Sequence, residues 1–177
     1  MEQELYEMIR KAKRGDKEAF TQLIQRYKGQ VFRHAYAMLQ DRMEAEDVAQ
    51  EAFVKVYFSL KSLESEFAFS SWLTRIVSNL CYTRVQKKKK EASLLADNLE
   101  EYIPTPSSRG TMEQKQLQLT IEEAMQNISL DHRTVLVLRD IQGFSYDEIA
   151  RILDIPVGTV KSRISSARLS LRKEWTK

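Results

Sequence analysis

The stretch from Phe144 to Arg168, Phe-Ser-Tyr-Asp-Glu-Ile-Ala-Arg-Ile-Leu-Asp-Ile-Pro-Val-Gly-Thr-Val-Lys-Ser-Arg-Ile-Ser-Ser-Ala-Arg, leaves the chain little choice of local structure. Ser145 and Glu148 have the spacing of a capping box. The hydroxyl takes the third amide of a helix, and the carboxylate reaches back to the cap amide. A helix is expected from about Tyr146 to Leu153, with Ile149, Ala150 and Leu153 on one side. Asp154 and Ile155 make a turn, and Pro156 suits the first turn of a second helix, where its missing N–H costs nothing. On that helix Val160, Ile164, Ala167 and Leu171 form one stripe facing a core. Ser162, Ser165 and Ser166 fall opposite, flanked by Lys161 and Arg163, with Arg168 and Arg172 further along. Beyond Pro156 the bases also include Lys173 and Lys177, against a single acid, Glu174. Two short helices around a tight turn, the second basic and hydroxyl-rich, are the arrangement that sets a helix in the DNA major groove. Short hydroxyls permit close approach to base edges, while Lys and Arg neutralise phosphates. A solvated amphipathic helix is the alternative, and the capping box, turn and matched apolar stripes weigh against it.

The rest of the chain is helical in period too. Gly (5) and Pro (3) are scarce, and no segment sustains strand alternation. A first helix carries Leu5, Met8, Ile9 and Ala12 and stops near Gly15. Asp16 caps a long second helix with Phe20, Leu23, Ile24, Tyr27, Val31, Ala35, Met38 and Leu39. Asp41 and Glu44 have capping-box-like spacing before a third helix bearing Val48, Ala52, Phe53, Val56, Tyr57 and Leu60. After a loop from Leu63 to Phe69, Ser70 or Ser71 opens a fourth helix with Trp72, Leu73, Ile76, Val77, Leu80 and Val85. Helix breakers Pro104, Pro106, Ser107, Ser108 and Gly110 mark a flexible linker. Thr111 and Gln114 offer another capping-box pattern. Helices follow with Leu117, Ile121, Ala124, Met125 and Ile128, then with Val135, Leu136 and Leu138. The expected fold is all-α: two small helical domains, 1–90 and 112–177, joined by a linker over 91–111, with the helix-turn-helix in the second.

Charge is segregated, which matters more than the net +3. Acids cluster at Asp41, Glu44, Glu46, Asp47 and Glu51; bases cluster at Arg84 and from Lys87 to Lys90. One surface therefore attracts a basic partner, and two others attract phosphate. Phe67, Phe69, Trp72 and Tyr82 lie on or beside the helix that ends in the lysine run. Aromatics beside a basic track suit single-stranded DNA, with bases on rings and cations along the backbone. Asn79 is a candidate for an exposed base edge. Trp72, at helical spacing with Ile76, fits a core position as its other reading.

Several classes lose support. A single cysteine, Cys81, permits no intramolecular disulfide and fits a reducing cytoplasm. The acidic, non-apolar start does not read as a signal peptide, and no apolar stretch is long enough to span a bilayer. An enzyme is not expected: there is no glycine-rich phosphate loop, and His34 and His132 lie far apart with no metal-ligand cluster. No catalytic residue, metal or cofactor is expected. His34 reads as a surface or satisfied histidine, His132 as structural or solvent-facing. A two-domain regulator with a ligand or dimerisation module would explain the helix-turn-helix equally well, but not the acid cluster followed by the aromatic and basic helix.

Together, Asp47-Val-Ala-Gln-Glu-Ala-Phe53, Phe69-Ser-Ser-Trp-Leu-Thr-Arg-Ile-Val-Ser-Asn79, the lysine run and Phe144 to Arg168 resemble a bacterial RNA polymerase sigma factor. The short two-domain length is similar to the extracytoplasmic-function (ECF) group of the sigma-70 family. The resemblance implies an alternative sigma factor without enzymatic activity. Its partners would be core RNA polymerase, through the β′ clamp coiled coil and the β flap, promoter DNA, and an anti-sigma factor, often membrane-anchored in this family. It further implies that Glu46, Asp47, Gln50 and Glu51 dock on polymerase, with Phe53 as a buried anchor. The first domain, region 2-like, would capture the −10 strand with Phe67, Phe69, Ser71, Trp72, Asn79, Arg84, Lys87 and Lys88. The second, region 4-like, would read the −35 element with Lys161, Ser162, Ser165 and Ser166 at bases and Thr159, Arg163 and Arg168 near phosphates. The chain departs from the family at Ser165 and Ser166, where bulkier residues are common, and in a loop with two acids, Glu64 and Glu66, near DNA.

Overall fold

A computed structural model of the chain describes residues 1–96 and 121–176. The described residues contain helices and no strand. Helix α1 spans Glu2–Lys13, α2 Lys17–Leu39, α3 Arg42–Ser59 and α4 Phe69–Ala96. Residues 121–127 form α5, followed by α6 (Leu130–Leu136), α7 (Tyr146–Leu153) and α8 (Val157–Trp175). Short 3₁₀ turns at Leu60–Ser62 and Glu66–Ala68 occupy the loop between α3 and α4.

Local chemistry accounts for most boundaries. Gly15 takes φ 99°, and the Asp16 amide bonds back to the Lys11 carbonyl at 3.1 Å, which closes α1. The Asp16 carboxylate accepts from the Ala19 amide at 3.0 Å and opens α2. Asp41 accepts from the Glu44 amide at 3.1 Å and opens α3. Both bonds of the Ser145/Glu148 box form, at 3.2 and 2.7 Å. Asp154 then takes the left-handed conformation, φ 54°, and turns the chain into Pro156, which caps α8 rather than entering it.

Three expectations need correction. The fourth helix begins at Phe69, not at a serine cap, because the Glu66–Ala68 turn runs straight into it and leaves no break for one. It also continues to Ala96, so 91–96 of the expected linker are helical. The remainder of that linker and the Thr111/Gln114 pattern lie outside the described residues. Tyr57 and Ile121, expected in the cores, are 54% and 42% exposed.

Two apolar cores form. The first gathers Leu23, Val31, Met38, Val48, Val56, Leu73 and Val77 from α2, α3 and α4, with Ile9 from α1. The second gathers Val135, Leu138, Ile149, Val160, Ile164 and Ala167. Each fully buried aliphatic side chain contributes about 1.5–3 kcal/mol. After α6 the backbone widens into a π-helical stretch, Val137–Ile141. The extra residue in that turn rotates the side chains beyond it, and Gln142 comes to face α2.

The two units touch through that feature. Gln142 Nε2 donates to His34 Nδ1 at 2.7 Å, and His34 Nε2 donates to Ser78 Oγ at 2.9 Å. Tyr82 Oη on α4 donates to Asp131 Oδ1 on α6 at 2.9 Å. Leu130 packs on the first core and Ala37 on the second. His34 is thus a buried histidine with both ring nitrogens satisfied, not a surface one. Burial also pushes the Cys81 thiol up to about 12, so it stays protonated and unreactive.

Burial lowers the His34 pKa from 6.5 to about 4. Unfolded chains therefore take up a proton first as pH falls through that window. The contribution of neutral His34 is fully present above pH 6.5 and is lost progressively toward pH 4, at most about 3 kcal/mol. Thermal unfolding midpoints should fall across this window, and fall less steeply for His34→Gln.

Candidate nucleic-acid interface

The acidic face of α3 and the basic flank of α4 meet in one seam. Arg84 Nη1 lies 2.7 Å from Glu44 Oε2, and Arg84 Nη2 lies 3.2 Å from Glu51 Oε2. Asp47 stands at 3.9 Å from the same guanidinium. Lys88 reaches Glu44 at 3.3 Å and Asp41 at 3.9 Å. The Arg84 hydrogen bond holds the Glu44 carboxyl below its ordinary range. Arg84, expected along DNA, is therefore occupied by acids.

The expected docking set divides along α3. Glu46, Asp47 and Gln50 are exposed, with Glu46 paired to Arg42 at 3.1 Å. Glu51 turns toward Arg84, and Phe53 packs partly buried against the first core. The exposed face also carries Met43, Val54 and Phe58, at 77, 55 and 79% exposure. Met43, Asp47, Gln50, Val54 and Phe58 recur every three or four residues, so they share one face. Sequence reasoning missed these apolar members. Their signal was present: α3 is apolar on two sides, which a helix packed on one side alone does not need.

On α4 the side chains sort by angle. Phe69, Leu73, Val77 and Leu80 are buried. Trp72 is half-buried against the first core, and Arg75 and Asn79 are exposed one and two turns beyond it. Arg75 was not singled out from sequence, although its three-residue offset from Trp72 puts both on one side. Ser71 Oγ donates to the Ala68 carbonyl at 3.0 Å and so ties the loop to the helix. Phe67 is 68% exposed at the loop tip. Phe69, expected at the strand, is only 2% exposed; its ring packs edge-on to Tyr27 at 5.1 Å and supports the loop from beneath. Lys87 is exposed and makes no ion pair among the described residues.

On α8, Val160, Ile164 and Ala167 are buried, and Lys161, Ser162, Ser165 and Ser166 stand exposed on the other side. Thr159 is half-buried, and its carbonyl accepts from Ser162 Oγ at 3.0 Å. Two of the expected phosphate contacts are engaged within the chain. Arg163 lies 3.6 Å from Asp131, and Arg168 lies 2.7 Å from Asp140. Lys161 and Arg172 are exposed and without an acidic partner among the described residues. Among the described residues no helix is long and apolar enough to cross a membrane, and no group of side chains could hold a metal.

Residues 23–91 match the family Sigma-70 region 2, and residues 118–171 match Sigma-70, region 4. The chain belongs to the sigma-70 family, in its ECF group. It is 37% identical to the ECF RNA polymerase sigma factor SigW of Bacillus subtilis, with 98% of each chain covered. It is 32% identical to the RNA polymerase sigma-H factor of Pseudomonas aeruginosa, covering 94% of this chain and 91% of that one. The sigma factor RpoE of Bartonella quintana, solved with the anti-sigma factor NepR, superposes with a TM-score of 0.72 at 25% identity, over 89% of this chain and 96% of that one. This sigma factor is a transcription-initiation subunit and not an enzyme. Its two family matches divide at the segment between the two cores.

Arg84→Ala should let the Glu44 carboxyl titrate closer to its ordinary 4.5, as followed by NMR. A lowered carboxylate pKa stabilises the fold above its unfolded value and ceases to as pH drops through the folded one. The variant should lose on the order of 1 kcal/mol at neutral pH, and less in high salt.

Proposed function

We propose that this sigma factor reads a promoter at two points, and that core RNA polymerase sets the distance between its readers. The observation that carries this reading is α8, where Lys161, Ser162, Ser165 and Ser166 form an exposed hydroxyl and cationic stripe backed by a buried one. Held by the α7 turn, that stripe fits the major groove of a −35 element. The −10 strand is assigned to Phe67, Trp72, Arg75 and Asn79, with Lys87 following the phosphates. Capturing unstacked bases there offsets an unstacking cost on the order of a few kcal/mol. Polymerase docks on the Asp47, Gln50, Val54 and Phe58 face of α3, where charge sets orientation and the apolar members supply buried area.

Arg163 is held by Asp131 of its own unit, which also accepts from Tyr82 of α4, so Arg163 must release that carboxylate before it can face a phosphate. Polymerase, which holds the two units apart, supports two weak DNA contacts acting as one strong contact. The likeness to RpoE solved with NepR supports an anti-sigma factor as a further partner. Action with RNA polymerase supports a cytoplasmic location.

Asp47→Ala with Gln50→Ala should weaken binding to core polymerase measured by co-elution, and unchanged affinity would remove α3 from the docking surface. Lys161→Ala should lower promoter-dependent run-off transcription, reduce the salt dependence of promoter binding by about one ion, and leave core binding intact.

A further inference from the structure

The loop between α3 and α4 does not hold its own shape. Between the buried Leu63 and Phe69 its internal support is one 3₁₀ turn, with Ser65 Oγ accepting from the Phe67 amide at 3.3 Å. Ser71 of α4 bonds the Ala68 carbonyl, Phe69 packs on Tyr27 of α2, and α1 supplies the contacts to the rest of the loop. Lys13 Nζ donates to the Leu63 carbonyl. Arg10 Nε donates to Glu66 Oε1 at 2.7 Å, and Arg10 Nη2 bonds the same oxygen. The Tyr6 ring meets the Phe67 ring edge-on, with centroids 4.5 Å apart. Tyr6, Arg10 and Lys13 stand four and three residues apart, so they line one face of α1. That face touches the start, middle and tip of the loop.

This arrangement also answers a difficulty in the sequence. Two acids beside a polyanion should repel it. Glu66 is instead neutralised by Arg10, and its side chain is only 20% exposed. One exposed acid, Glu64, remains on the loop.

We infer that α1 is the positioning element of the −10 reader: Tyr6, Arg10 and Lys13 clamp the Leu63–Phe69 loop in one conformation, and so set which base the loop accepts beside Phe67. This rests on the assignment of that loop to the −10 strand. Tyr6, Arg10 and Lys13 themselves need not touch DNA. A loop freed from α1 would still carry Phe67 but would present it in many poses, trading discrimination for tolerance.

The test uses holoenzyme assembled from the full chain and core polymerase. The probe is a pool of labelled single-stranded DNA oligonucleotides randomised through their centre, with bound sequences read out. Arg10→Glu and Tyr6→Ala should flatten the base preference about tenfold, the scale of one lost stacking interaction, with core binding unchanged. Tyr6→Phe should keep the preference. Combining Arg10→Glu with Glu66→Arg should restore it, which general destabilisation of α1 would not allow. A base preference that survives Arg10→Glu and Tyr6→Ala, or one that the charge exchange fails to restore, overturns the clamp. Phe67→Ala separates the two layers. If it weakens strand binding while the α1 variants change nothing, the clamp alone fails; if it too changes nothing, the loop is not the −10 reader and both assignments fall.

Discussion

The burial of one stripe of α4 organises the molecule. Phe69, Leu73, Val77 and Leu80 pack against α2 and α3, and this fixes the rotation of a 28-residue helix. At 3.6 residues per turn, fixing one stripe fixes every other side chain on the rod. Arg84 and Lys88 are thereby turned onto the acids of α3. Trp72, Arg75 and Asn79 are left on the outer side, Ser78 is turned to His34 of α2, and Tyr82 is turned to the second unit. The brace of the α3 acids, the face proposed for strand capture and the contact between the units are thus different azimuths of a single helix.

That economy couples the surfaces. Arg84 links Glu44, Glu51 and Asp47, so the face proposed for polymerase is braced by the helix proposed for DNA. Asp131 receives both Tyr82 from α4 and Arg163 from α8, so one carboxylate ties the helix proposed for the strand to the helix proposed for the groove. Among the described residues the contacts between the units include two polar ones, Gln142 to His34 and Tyr82 to Asp131, of the kind found between domains that can move apart. Neutral His34, bonded on both ring nitrogens, is the most enclosed of them.

Elements with a local chemical cause were legible in the sequence. The Asp16 cap, the Ser145/Glu148 box, the Asp154 turn and the buried and exposed stripes of α8 each depend on residues a few positions apart. The elements that escaped it depend on distant ones. Phe69 read as a strand contact because aromatic rings beside a basic track suit both a core and a base; Tyr27, 42 residues away, decides for the core. The apolar members of the α3 face, Met43, Val54 and Phe58, were missed because side-chain type does not reveal which of two apolar stripes is covered. The π-helical widening at Val137–Ile141 has no residue signature.

The sequence by itself determined the class, an all-α two-domain sigma factor, because helix period, caps and the order of motifs are properties of the chain read in line. Only the tertiary structure decided which charges are available. Of the cations expected at DNA, Arg84, Lys88, Arg163 and Arg168 face carboxylates, while Lys161 and Lys87 remain exposed. Coulomb attraction acts through space and falls with distance, so the partner of an arginine is set by where the cores place the helices, and no spacing along the chain could state it.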